Sequence, residues 1–176
     1  MATSVATRAA ILQEIEERLV SYRQRSLQPA GFCVPAARLA IDVARKHGIP
    51  LVLQAGSAKW PRTLPGFADG GPSNYGYTWR GITPNVIERV QAGALPELHC
   101  WCIVEGTDEI VDPTAGEFPM QAAWWAGIDW PGPQPPVALW ASRNSLPPGT
   151  EYKADTNATA LVARLIASAY PQFSAQ

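Results

Sequence analysis

The sequence predicts a mixed fold of helices and antiparallel strands, on three observations. Apolar residues recur at three- and four-residue steps in one stretch near each end of the chain. A further stretch, Cys33 to His47, is apolar around most of a helical circumference. Between them, Leu98 to Glu105, Gly106 to Asp108 and Glu109 to Asp112 read as strand, turn and strand, an antiparallel hairpin.

The first helix is expected over 6–25, with Ile11, Leu12, Ile15, Leu19 and Tyr22 on one face and Glu14, Glu17, Arg18 and Arg25 off it. Gln28-Pro29-Ala30-Gly31 ends it. The second helix, Cys33 to His47, keeps Arg38, Asp42, Arg45 and Lys46 on one narrow polar stripe. Ala37, Ala40 and Ala44 let another element approach closely, and Pro35 falls in the first turn, where a missing N–H costs little. Gly48 after Lys46 and His47 is a helix stop with cations against the carbonyl end.

Leu51 to Ala55 reads as a short buried strand, and Gly56 to Gly81 as a long loop carrying Trp60, Phe67, Tyr75, Tyr77 and Trp79. Pro84 to Ala92 reads as a short helix opened by Thr83, and Val137 to Trp140 as an edge strand. A last amphipathic helix is expected from Asn157 to Ala169. No internal repeat or linker composition divides the chain, so residues 1–176 are expected to form one domain.

Composition narrows the function classes. The 176 residues carry a formal net charge of -1, and the basic residues are scattered, which argues against a nucleic-acid footprint. No apolar run approaches the ~20 residues that span a bilayer, so no membrane role is expected. Met1 to Arg8 runs into a charged amphipathic stretch rather than a signal-peptide core, so a cytoplasmic location is expected. Three cysteines, an odd count, disfavour a disulfide framework.

Chemistry concentrates in three residues. Cys33 opens a helix, where free backbone N–H groups and the helix dipole favour a thiolate. The chain has two histidines. His47 is accounted for at a helix end, about 20 Å from Cys33 at about 1.5 Å per residue. His99 lies on a strand amid apolar residues, where an unpaired imidazole is costly. Asp112 ends the paired strand, roughly level with His99 to Trp101, where a carboxylate can accept from an imidazole N–H. Each also has a structural reading: a buried thiol, a satisfied core histidine, a strand-terminal Asp before Pro113. A metal site at His99-Cys100-Trp101-Cys102 is disfavoured, because strand alternation turns His99 away from Cys100 and Cys102.

The run Cys33-Val34-Pro35-Ala36-Ala37, then Ala44-Arg45-Lys46-His47-Gly48-Ile49-Pro50 and Gly56, resembles the core of transglutaminase-like domains in the papain-like superfamily. His99-Cys100-Trp101 and Val111-Asp112-Pro113-Thr114 resemble that family's His-x-Trp strand and Asp-Pro-Thr strand end. The likeness covers about 31–114, roughly half of the chain, with an N-terminal helix before it and an extension over 115–176. The arginine that usually follows the Gly-Ile-Pro turn is replaced here by Leu51-Val52-Leu53.

The resemblance implies an α+β fold, with the nucleophile helix packed on an antiparallel sheet. It implies Cys33 as nucleophile, His99 as general base and acid, and Asp112 as the orienting carboxylate. The activity implied is that of a cysteine hydrolase, protease or deamidase, acting on peptide or glutamine-type amide bonds of a protein or peptide substrate through a thioester, without cofactor or metal. An amine-accepting transglutaminase or acyltransferase is the alternative, and a non-catalytic peptide-binding module of the same fold is a third. Gln28 resembles the glutamine that papain-like enzymes place before their cysteine, an oxyanion donor, and equally fits a polar loop residue before Pro29. Trp60, Tyr77, Trp79 and Trp101 are expected to line the substrate cleft.

Overall fold

Five α-helices and six strands form among the residues that the computed structural model describes, 3–23, 32–63, 73–92 and 96–169. Helix α1, Val5–Arg23, buries Ile11, Ile15 and Leu19 at four-residue steps against helix α2. Gln24, Arg25 and Gln28 lie outside the described residues.

Helix α2, Cys33–Lys46, buries Val34, Ala36, Ala37, Ala40, Val43 and Ala44. Four alanines on the buried side bring its backbone close to the sheet: the Cys102 thiol donates to the Ala37 carbonyl at 3.4 Å. The helix stops as the sequence reading expects. Gly48 takes φ +72, and its N–H donates to the Arg45 carbonyl at 3.0 Å.

Strand β1 spans Leu51–Pro61 and strand β2 spans Asn74–Tyr77, which corrects the expected short strand and long loop. The extra length comes from pairing. Gly56 to Lys59 pair with strand β6, Glu151–Ala154, and Ala58 to Pro61 pair with β2. Gly56 is expected to open the long loop, yet it is the residue that allows this approach. A Cβ there would lie 2.2 Å from the Lys153 carbonyl oxygen.

The expected hairpin forms as β3, His99–Val104, and β4, Glu109–Asp112. β3 pairs with β1 from Leu51↔Val104 to Gly56↔His99, and β4 pairs with β5, Leu139–Ser142. The edge strand thus begins two residues later than expected. All pairings are antiparallel. Gly56 pairs with both His99 and Ala154, and Ala58 with both Tyr77 and Tyr152. A residue has one neighbour on each side. Hence β6 occupies one edge of β1, while β3 and β2 follow one another along the other.

Directly paired residues share a face. On one face Cys100, Cys102, Val111 and Trp140 form a core with α1, α2 and α5, Thr156–Ala169. On the other, Trp60, Trp101, Ile110, Leu139 and Tyr152 pack with Phe118 of helix α4, Phe118–Ala126. Neither β6 nor α4 is expected from the sequence. Helix α3, Pro84–Gln91, and α5 begin where the reading places them, each with a side-chain cap. Thr83 Oγ1 accepts from the Val86 N–H at 3.3 Å, and the Asp155 carboxylate accepts from Asn157 and Ala158 at 2.9 Å each.

One buried carboxylate fixes α1 to this sheet. Glu109 is 3% exposed and accepts from Arg8 Nη2 at 2.8 Å, Trp140 Nε1 at 2.7 Å and the Thr3 N–H at 3.3 Å. None of the described helices is long and apolar enough to cross a membrane.

Candidate active site

The structure brings Cys33, His99 and Asp112 to one place from three elements. β3 starts with His99, and its pairing with β4 stops at Cys102↔Val111. Extending that register by one step sets Asp112 beside Trp101, so Asp112 lies one diagonal step from His99 on the same face. His99 Nε2 is 2.8 Å from Asp112 Oδ2. An ionised carboxylate only accepts, so Nε2 carries the proton and donates it.

Asp112 is fully buried and each of its oxygens takes two hydrogen bonds. Oδ1 accepts from the Thr114 N–H at 2.8 Å and the Thr114 hydroxyl at 2.9 Å. Oδ2 accepts from His99 and, at 2.7 Å, from the Tyr152 hydroxyl. That hydroxyl in turn accepts from Trp60 Nε1 at 3.0 Å. Burial alone would raise the Asp112 pKa. The charge of His99 and the bonds from His99, Tyr152 and Thr114 outweigh it and hold the carboxyl below its ordinary value.

Aromatic rings hold the imidazole from several sides. Tyr77 stacks on it at 5.3 Å with 11° between the planes, Phe118 meets it edge-on at 5.1 Å, and Trp101 lies at 6.3 Å. With Nε2 engaged by Asp112, the ring nitrogen left over is Nδ1, which is buried and makes no hydrogen bond. Beyond Asp112, Cys33 is the group that raises the ring's pKa. Contacts of this kind commonly tighten only when the reacting group arrives.

Cys33 is the first residue of α2 and is partly exposed, whereas Cys100 and Cys102 are wholly buried. First-turn N–H groups have no acceptor within their own helix, and Pro35 has none to offer, so the N–H groups of Cys33 and Val34 carry the positive end of α2. Hydrogen bonding from Cys100, followed by hydrogen bonding and charge from His99, overcomes burial and lowers the Cys33 pKa to about 5. Burial pulls His99 down, but the Asp112 charge and hydrogen bond, with Cys33, raise its pKa to about 10. The two shifts run in opposite senses, and each favours the charged form, thiolate at Cys33 and imidazolium at His99. Cys100 and Cys102 go the other way: burial raises both thiols, so they stay protonated.

The four expected cleft aromatics divide. Tyr77 is half-buried against His99, and Trp79 is half-buried, with its N–H donating to Ser57 Oγ at 2.9 Å. Trp60 and Trp101 do not line a cleft: they are 3% and 0% exposed, inside the aromatic core. The correction has a simple cause, since strand alternation points both toward the face that α4 covers. Gln28, the expected oxyanion donor, falls outside the described residues. His47, set aside at the sequence level, lies at the far end of α2, 3.4 Å from Glu14.

Sequence reasoning misses Tyr152 and Phe118. Tyr152 is the one buried residue of a short polar strand, and nothing in Glu151-Tyr152-Lys153-Ala154 announces it. Thr114 does carry a signal, since Asp followed two residues later by Thr closes a local side-chain turn. No family model, curated protein or solved structure matches the chain.

Proposed function

We propose that the protein is a cysteine-dependent hydrolase of a transglutaminase-like, papain-like fold, which cleaves peptide or glutamine-type amide bonds through a thioester. One observation carries this reading. A buried imidazole donates to a buried carboxylate through Nε2, and the same ring interacts with a partly exposed thiol at a helix N-terminus whose pKa is held well below the ordinary thiol range. A structural role needs no thiolate, and burying a charged Asp–His pair costs several kcal/mol of desolvation. Perturbed groups paired in this way mark reacting sites more often than packing sites.

In the proposed reaction the Cys33 sulfur attacks the amide carbonyl carbon, and the carbonyl oxygen becomes an oxyanion. The N–H groups at the start of α2 donate to it. As the C–N bond breaks, His99 gives its Nδ1 proton to the departing nitrogen, which leaves as ammonia or an amine. Water then gives a proton to His99 and its oxygen attacks the thioester. The carboxylic acid leaves and the thiolate returns. Asp112 keeps the ring in the tautomer that leaves Nδ1 free for both transfers.

The test is the mass change of glutamine-containing peptides incubated with the enzyme, with and without a primary amine. Conversion of amide to acid, or chain cleavage, supports hydrolysis, and either must vanish in Cys33→Ala and His99→Ala. An amine adduct would move the assignment to a transferase. No change in any peptide, together with no selective alkylation of Cys33, would leave a binding module.

A further inference from the structure

The mechanism above leaves two buried thiols unused, Cys100 and Cys102, and Cys100 is the one beside Cys33. Cys100 follows His99 on β3 but points to the helical side of the sheet, into the core against which Cys33 packs. The crossing of α2 over β3 fixes its place. Cys102 Sγ touches the Ala37 carbonyl, at 3.4 Å. Cys33 lies one helical turn, about 6 Å, back from Ala37. Cys100 lies two strand residues, about 6.6 Å, back from Cys102 on the same face. The two steps nearly match, and Cys33 packs on the core that holds Cys100 and interacts with the Cys100 side chain, which sets the first turn of α2 over Cys100 as the second sits over Cys102. Both thiols are free.

We propose that Cys33 and Cys100 form a disulfide under peroxide, a reversible cap that protects the candidate nucleophile and stops its chemistry. This regulation rests on the reading of Cys33 as an activated thiol. In the first step the Cys33 thiolate attacks one peroxide oxygen. An S–O bond forms, the O–O bond breaks, and the hydroxide released takes up a proton to become water. Cys33 becomes a neutral sulfenic acid. In the second step the Cys100 thiol yields its proton and its sulfur attacks Cys33. An S–S bond forms, the S–O bond breaks, and the leaving hydroxide takes that proton as a second water. Two thiols and one peroxide become one disulfide and two waters.

The electrostatics set the order. While Cys33 is a thiolate, burial and then Cys33 itself keep the Cys100 proton in place. Conversion to sulfenic acid removes that charge, so the part of the restraint that Cys33 places on the Cys100 proton is lifted only after Cys33 is oxidised, while burial still acts. Cys33 is partly exposed and meets the oxidant, whereas Cys100 and Cys102 are wholly buried.

The experiment treats the intact protein with one equivalent of hydrogen peroxide, blocks remaining thiols with iodoacetamide, and maps peptides by mass. The expected product has lost two hydrogens, joins the Cys33 and Cys100 peptides, leaves Cys102 alkylated, and reverts with dithiothreitol. Dimedone, which traps sulfenic acid, should mark Cys33 weakly in the wild type and strongly in both Cys100→Ala and Cys100→Ser. Equal dimedone labelling in wild type and variants, or a link from Cys33 to Cys102, would overturn the proposal. Iodoacetamide at pH 6, before any oxidation, separates the two ideas. Selective labelling of Cys33 with no link afterwards sinks only the disulfide. Absence of selective labelling sinks the activated thiol, and this proposal with it.

Discussion

Tyr152 and His99 donate to the same oxygen of Asp112, at 2.7 and 2.8 Å, from strands on opposite edges of β1. The phenol is thus a positioning group, acting on the imidazole through the carboxylate. Its pKa is raised, first by burial and then by Asp112, so it remains a neutral donor. Tyr152→Phe removes that donor and leaves Trp60 Nε1 buried without its acceptor. The expected stability loss is about 1–3 kcal/mol, read as a shifted urea midpoint. Turnover should fall in kcat with KM little changed, because no substrate contact is lost. A change confined to KM would mean that Tyr152 lies in the cleft instead.

Replacing Asp112 by Asn separates orientation from charge. The amide can keep a bond to His99, but it can also present an N–H to Nε2 and reverse the ring tautomer. The imidazolium also loses its partner charge, so the His99 pKa should drop from its raised value. A loss of about 10³–10⁴ in kcat is expected for this substitution. An NMR titration of His99 supplies the second readout. A pKa that stays near 10 in Asp112→Asn would show that Asp112 is not what raises it.

The pH dependence follows from the two shifts. Cys33 is depressed, so its thiolate form is present above about 5 and lost below. His99 is raised, so its protonated form is present below about 10 and lost above. Alkylation of Cys33 by iodoacetamide should therefore reach half its plateau near pH 5 rather than near the ordinary thiol value of about 8.5. Stability carries the same signs. The Cys33 contribution grows as pH rises from about 5 toward the unfolded thiol value. The His99 contribution is complete below the unfolded imidazole value and fades toward about 10. In His99→Ala the alkylation midpoint should move up, and a midpoint unchanged from wild type would leave Cys100 and the helix end as the main causes.

The parts of this fold legible in sequence are those whose own residues determine them. The α2 helix announces itself by a single polar stripe from Arg38 to Lys46 and a Gly48 stop, and the β3–β4 hairpin by apolar runs around Gly106. The rest depends on neighbours. Gly56-Ser57-Ala58-Lys59 contains no β-branched residue, and it is extended because β6 and β2 pair with it. Trp60 looks like a cleft residue beside Pro61 and a Gly-rich loop, and Trp101 by its place two residues after His99, and the cover provided by Phe118 and Tyr152 puts both inside. Cys33, His99 and Asp112 could be named because alternation, hairpin register and helix start are local rules. Tyr152 could not, because its place depends on which edge of β1 receives β6.

Gly56 offers a test of how tightly that edge is set. A Cβ at this position would meet the Lys153 carbonyl oxygen at 2.2 Å and the Asp155 N–H nitrogen at 3.1 Å, both backbone atoms. Relief requires β6 to move away from β1, which draws Tyr152 off Asp112. Gly56→Ala should cost at least about 1–3 kcal/mol of stability and lower kcat in the same sense as Tyr152→Phe. A variant as stable as wild type would mean that β6 can shift without loss.

Arg8→Ala serves as the contrast, because it perturbs a half-buried ion pair away from Cys33, His99 and Asp112. Arg8 Nη2 lies 2.8 Å from Glu109 Oε1, and the arginine is 24% exposed while the glutamate is 3% exposed. Removing the guanidinium leaves Glu109 with Trp140 Nε1 and the Thr3 N–H but no cation. The full penalty for orphaning a buried charge is about 3–5 kcal/mol. Partial exposure of Arg8 lets water reach the site, so about 1–3 kcal/mol is expected, with α1 loosening first. Glu109 opens the strand that Asp112 closes, yet its side chain bonds to α1 and β5 and to none of Cys33, His99 and Asp112. The pH midpoint for Cys33 alkylation should therefore stay at its wild-type value in Arg8→Ala while the urea midpoint falls. If both move together, α1 is coupled to the thiolate, and the stability losses expected for Tyr152→Phe and Gly56→Ala must be reread as effects on the whole sheet.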